Sequence, residues 1–204
     1  EHYGASLILG GAEGTLWDLT GMYASLARTL AHYRIYNGRY NPADIHPLTP
    51  FPASPTDPVR SVTDKRLTDK PLLSAASIWF TFEAMSALNR PEEEADWQQF
   101  GSMKQVAWKT GTSYGGRDAW AIGTTPRYTV GVWVGNASGE GRPGLTGVGN
   151  AAPVLFDLFS LLPGSGWFDM PYDELLPTAV CYLSGHKASA ICNRVDTLYM
   201  PRSA

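Results

Sequence analysis

The chain reads as α+β, an antiparallel sheet with packed helices, and three observations carry that reading. Two segments with apolar residues at three- and four-residue steps come first, at about 16–30 and 74–89. Three short stretches of period-two alternation come next, between about 106 and 134, and a third helical segment at about 152–162 closes the series. A chain of 204 residues suffices for one ordinary domain, or one with a small appendage, and needs no disulfide to bury its core.

In the first segment Leu16, Leu19, Tyr23, Leu26, Ala27 and Leu30 share one helical face. Thr15 stands where an N-cap hydroxyl would, with Asp18 in the capping-box position. Ahead of it the apolar stretch Ser6-Leu7-Ile8-Leu9 ends in Gly10-Gly11, a turn signal. Residues 43–60 are proline-dense, with Pro47, Pro50, Pro52, Pro55 and Pro58. They predict an ordered surface excursion or hairpin, because proline lacks the amide that a helix interior needs. The second helix gathers Ile78, Phe82, Met85 and Leu88 on one face; Asn89-Arg90-Pro91 stops it, and Glu92-Glu93-Glu94 reads as a solvated run.

The period then changes from helical to extended. Val106, Trp108, Thr110 and Thr112 alternate with Ala107, Lys109 and Gly111. A second strand fits 119–123, and a third at 128–134 sets Tyr128, Val130, Val132 and Val134 on one face. Short strands joined by Gly- and Pro-bearing turns predict an antiparallel meander. The last helix, carrying Val154, Leu155, Leu158, Phe159 and Leu162, covers it. After Pro163-Gly164-Ser165-Gly166 the composition shifts, which divides the chain into 1–163 and a tail, 164–204, read as a linker or the start of a small C-terminal domain.

Composition removes several function classes. A formal net charge of −3 and no Lys/Arg cluster argue against a nucleic-acid partner. Aromatics at 12% argue against a disordered chain. The apolar runs are too short for a membrane helix, and no signal peptide is evident. The opening Glu1-His2-Tyr3, without Met, predicts a fragment or a processed chain. Histidines at 2, 32, 46 and 186 do not pair at ligand spacing, and Gly10-Gly11-Ala12-Glu13-Gly14 is neither a dinucleotide fingerprint nor a phosphate loop. No metal site is therefore expected. Cys181 and Cys192 are too far apart for a redox C-x-x-C, leaving a disulfide or two buried thiols.

The sharpest signal is Trp108-Lys109-Thr110-Gly111-Thr112-Ser113, inside the first predicted strand. Gly111 removes a side chain where another backbone must come close. The Thr110 and Thr112 hydroxyls can donate to a carboxylate, and Lys109 adds positive charge beside them. The group suits the C-terminal carboxylate of a peptide laid along an edge strand. A K-T-G triplet alone is weak, and its bland reading is a solvated lysine on a sheet edge. Alternation also sets Lys109 on the face opposite the two threonines, so a single site requires strand twist or a lysine stem that reaches over the edge.

The flanking residues strengthen the signal. Asp118-Ala119-Trp120 comes next, then Gly123, then Tyr128-Thr129-Val130-Gly131-Val132-Trp133-Val134-Gly135. In this order K-T-G-T, D-A-W and V-W-V-G resemble the penicillin-binding transpeptidases, in particular the bifunctional class A enzymes. Leu7-Ile8-Leu9-Gly10-Gly11, leading into the first helix, is similar to their segment downstream of the second catalytic motif. The run from Ala107 to Gly115 and the paired cysteines resemble the 1C type of that class. The resemblance covers about 4–163 and implies the C-terminal part of a transpeptidase domain of the penicillin-binding-protein and serine β-lactamase fold.

For function, the resemblance implies acyl transfer without a cofactor. The serine of an S-x-x-K motif attacks a D-Ala-D-Ala stem peptide of peptidoglycan, an S-x-N motif relays protons, and K-T-G-T lines the opposite wall. Carried over, Lys109 eases developing negative charge and holds the S-x-N hydroxyl. Thr110 and Thr112, about Gly111, bind the terminal carboxylate, and the Thr112 N–H forms half of the oxyanion hole. β-Lactams would acylate the same serine. The implied location is the periplasmic face of the inner membrane, where a disulfide is favoured, with a glycosyltransferase domain upstream.

One departure decides the activity claim. Neither S-x-x-K nor S-x-N precedes Lys109; Ser184-Gly185-His186-Lys187 fits the first motif but lies after K-T-G-T in a loop-like tail. The chain is therefore expected to need the upstream half of the same transpeptidase domain as its partner and to be inactive alone. The competing expectations are a non-catalytic wall- or partner-binding module on the same fold and, last, a hydrolase using Ser184 with Lys187. Asp118 is expected to serve a turn or strand pairing, Trp108 to pack, and Trp120 and Trp133 to line core or groove.

Overall fold

The computed structural model describes residues 4–5, 10–50, 66–88 and 104–202. The elements run α1 (Leu16–Ile35), α2 (Ala75–Ser86), β1 (Ala107–Thr112), β2 (Asp118–Thr124), β3 (Thr129–Gly135), α3 (Ala152–Leu161), β4 (Leu175–Cys181) and β5 (Val195–Pro201). The α+β class is as the sequence predicts. The apolar stretch at 6–9, the prolines after Pro50, the Asn89-Arg90-Pro91 stop and the acidic run at 92–94 lie outside the described residues.

β1, β2 and β3 form an antiparallel meander in that order, with Lys109 opposite Ile122 and Trp120 opposite Trp133. Alternation sends Trp108, Ala119, Ala121 and Val132 to one face, where Leu155, Phe156 and Phe159 of α3 cover them. Ala107 faces the other way into a second core with Ala27, Leu30, Ile78 and Phe82 from α1 and α2. The sheet is thus the middle of three layers. The layers come close where a side chain is missing: a Cβ on Gly131 would lie 2.0 Å from the Thr20 hydroxyl oxygen of α1.

Helix α1 begins as expected, the Thr15 hydroxyl accepting from the Asp18 amide at 3.0 Å. It runs past the expected Leu30 to Ile35 and ends in a left-handed cap. Asn37 and Gly38 take φ of 52° and 76°, and the Gly38 amide donates to the Tyr33 carbonyl. Its burial also differs from the apolar stripe, since Gly21, Ser25 and Thr29 are buried and Leu16, Leu19, Tyr23 and Leu26 are not fully so. The small stripe receives the loop at 41–48, where the Arg28 guanidinium donates to the Asp44 carbonyl at 3.0 Å and Asp44 meets His32 at 2.9 Å. A bridge between Tyr40 and Thr68 ties the chain before the proline-rich stretch to the chain after it.

After Pro163 the sequence signals no regular element, yet the structure contains the β4–β5 hairpin. Pro177 inside β4 and the exposure of β5 along its length hide it from pattern reading. The approach to the hairpin is strapped to the helices. Phe168 packs on Phe82 with ring centroids 5.0 Å apart, and the Trp167 indole donates to Glu83 at 2.5 Å. Tyr33 donates to Asp173, Tyr40 donates to Glu174, and Glu174 accepts from the Ala76 amide at 2.8 Å at the start of α2.

Candidate functional site

Strand β1 carries K-T-G-T, and its two ends have opposite environments. Trp108 is 2% exposed and packs edge-on against Phe156, whereas Lys109, Gly111 and Thr112 are exposed. The buried end fixes the strand, and the other end is presented to solvent. Among the described residues no strand pairs with the outer edge of β1.

Hydrogen-bond parity then decides what that edge displays. The Ser113 amide donates inward to the Asp118 carbonyl, so in an antiparallel ladder the N–H and C=O of Thr112 and Thr110 turn outward. The Lys109 side chain leaves the opposite face, bends over the edge, and donates to the Thr110 carbonyl at 2.5 Å. The lysine stem thus reaches the strand edge at a backbone carbonyl.

Two hollows flank the edge. Beside Lys109, an open cavity of about 470 Å³ is lined by Phe80, Thr81, Ala84 and Met85 of α2 and by Leu88. Past Thr112, another of about 360 Å³ is lined by Gly115, Gly116 and the segment from Gly141 to Thr146, which includes Arg142. Tyr114, in the β1–β2 turn, is fully exposed beside it. The outward backbone groups of Thr110 and Thr112 can pair with an extended chain laid along β1, with the Lys109 ammonium at the same edge.

Gly111 leaves open space on the side away from the sheet's neighbours. A Cβ there would touch only the Trp120 Cβ at 3.7 Å, so no other part of the described chain requires a glycine. The close approach falls on Gly147, which sequence reading missed. A Cβ on Gly147 would lie 2.6 Å from the Gly111 carbonyl oxygen, and its amide donates to the Thr112 hydroxyl oxygen at 2.9 Å. The available signal was Thr146-Gly147-Val148-Gly149-Asn150, a capped, glycine-bearing entry to α3.

Asp118 accepts from the Trp133 indole at 2.9 Å, and its amide bonds the Ser113 hydroxyl; both contacts are strand-pairing contacts. Trp120 is half-buried and Trp133 is 37% exposed. Ser184-Gly185-His186-Lys187 lies at the hairpin tip with Gly185 at φ 71°, so it is a turn rather than the helical turn that aligns serine with lysine. Cys181 and Cys192 are half-buried thiols there. Hydrogen bonds from the Ser184 side chain and amide hold the Cys181 thiol low, at about 7.

No family model matches the chain. It is 32% identical over 157 residues to penicillin-binding protein 1C of Escherichia coli (strain K12), an alignment covering 77% of this chain and 17% of that protein. That stretch carries the K-T-G-T edge within a helix-covered antiparallel meander, and the chain belongs to the class A penicillin-binding protein family.

Proposed function

We propose that the chain supplies the K-T-G-T wall of a peptidoglycan D,D-transpeptidase site. The observation that carries this reading is the display, at a strand edge that no strand among the described residues covers, of the Lys109 ammonium and the outward Thr112 amide. A stem peptide ending in D-Ala-D-Ala lies along β1. Thr110 and Thr112 hold its terminal carboxylate, and the Thr112 N–H receives the carbonyl oxygen as it gains charge. A serine in an S-x-x-K motif attacks the penultimate carbonyl; the serine ester forms, the D-Ala amide bond breaks, and the departing amine takes a proton. A neighbouring stem's amine then displaces the serine. Lys109 steadies the S-x-N hydroxyl and the negative charge.

Neither motif precedes Lys109 in this sequence, so the nucleophile comes from the upstream half of the same domain and the chain alone does not turn over. The segment 1–163 is taken as part of that domain and 164–204 as a linker or the start of a small C-terminal domain, whose approach as far as Glu174 is strapped to the helices. Location at the periplasmic face of an inner membrane is inferred from the family; no helix among the described residues is long and apolar enough to cross a membrane.

The test is intact-mass detection of penicillin acylation, on this chain alone and on the polypeptide that includes an S-x-x-K serine. Labelling only of the latter, falling at least tenfold in Lys109→Ala, is expected. Labelling of this chain alone would move Ser184 to the front. Labelling of neither, with folding verified, would favour a non-catalytic binding module.

A further inference from the structure

We propose that the Gly147 amide is a positioning group for carboxylate recognition: it occupies the Thr112 hydroxyl oxygen as a donor, leaving the Thr112 O–H to be given to the ligand. This rests on the reading of Thr112 as a carboxylate binder. A threonine hydroxyl can rotate to offer either a proton or a lone pair. Facing a carboxylate, the lone pair repels and the proton makes a charge-assisted hydrogen bond. The Gly147 N–H, 2.9 Å from Thr112 Oγ1, turns the hydroxyl proton away from itself and removes the wrong choice in advance.

Only glycine can bring an amide there. A Cβ at 147 would meet the Gly111 oxygen at 2.6 Å, the Trp120 oxygen at 2.7 Å and the Thr110 Cβ at 2.8 Å. The two oxygens belong to paired strands of the meander and cannot retreat without breaking the ladder. The amide's direction is fixed as well. The Thr146 amide donates to Asn150 at 2.9 Å, the Gly149 amide to the Thr146 hydroxyl at 3.1 Å, and Ala151 and Ala152 at the foot of the turn are fully buried. The segment leading into α3 thus reaches over the sheet to set one hydroxyl on β1.

The experiment compares acylation of the full-length polypeptide by benzylpenicillin and by its methyl ester, which lacks the negative carboxylate. Thr112→Val should slow benzylpenicillin by about 10- to 100-fold and the ester little, as for loss of a hydrogen bond to a charged group. Gly147→Ala should show the same selective loss, and the double variant should be no slower than Thr112→Val alone. Equal slowing of both probes by Gly147→Ala, or full additivity with Thr112→Val, would overturn the positioning role. If the wild type does not favour the free carboxylate, or Thr112→Val leaves that preference intact, the carboxylate reading of Thr112 fails first. Should Gly147→Ala not fold, hydrogen exchange of the Gly147 amide decides: faster in Thr112→Val and unchanged in Thr112→Ser is expected, and no change in Thr112→Val would sink the proposal.

Discussion

Among the described residues lie two antiparallel sheets with the same backbone chemistry and opposite surroundings. In the β1–β3 meander both faces are covered, and Ala119, Ala121 and Trp108 are almost wholly buried. In the β4–β5 hairpin Leu175 and Val180 are buried, while Leu198, Tyr199 and Met200 stay 51%, 46% and 38% exposed. Ladder hydrogen bonds are common to both sheets, so they do not account for the difference. Side-chain burial separates the sheets, and it fixes the register and rigidity of the strand that carries K-T-G-T.

The largest expected effect breaks the meander. Trp108→Ala empties a site against Phe156 and should cost about 3–5 kcal/mol. Leu198→Ala in the hairpin should stay within about 0.5 kcal/mol. Denaturant melting of the two variants checks the contrast, and equal losses would mean that the hairpin is as deeply anchored as the meander.

The same contrast explains how much was legible in the sequence. Val106 to Thr112 and Tyr128 to Val134 alternate because one side of each strand meets α3, so burial wrote the period into the sequence. In β5 no such face exists, and Val195 to Pro201 shows no pattern to read. The start of α1 was legible from Thr15 and Asp18, whereas its end required reading Asn37-Gly38 as a left-handed cap. At the site, Lys109, Thr110 and Thr112 were legible as a motif. Gly147 was not, because its place over β1 comes from the return of the chain after β3, and local pattern carries no trace of that contact.

An intermediate effect sits where the approach to the hairpin meets the helices. Glu174 accepts from both Tyr40 and the Ala76 amide, and Glu174→Ala should cost about 1–3 kcal/mol by leaving those donors unpaired. Burial, then hydrogen bonding to Asp173 and Glu174, pushes the Tyr33 and Tyr40 hydroxyls well above the ordinary tyrosine value. Folding therefore favours their neutral forms. That contribution is complete below about pH 10, where both folded and unfolded tyrosines are protonated, and is lost progressively as pH rises above it. Melting temperature should fall on the alkaline side, and less steeply in the Tyr33→Phe, Tyr40→Phe double variant. Parallel curves would detach the strap from the alkaline limb.

The smallest effect is confined to the hairpin tip and should leave the meander untouched. Hydrogen bonds from the Ser184 side chain and amide, with help from Cys192, draw the Cys181 thiol down to about 7. Under reducing conditions iodoacetamide should modify Cys181 with a rate that rises through neutral pH and levels off above it, since the thiolate is the nucleophile. Ser184→Ala removes the leading hydrogen bond and should move that midpoint upward, with no change in the denaturation midpoint. A midpoint that stays in place would assign the depression to the turn's backbone amides. A change in overall stability would instead show that the tip, unlike the rest of β5, bears on the folded core.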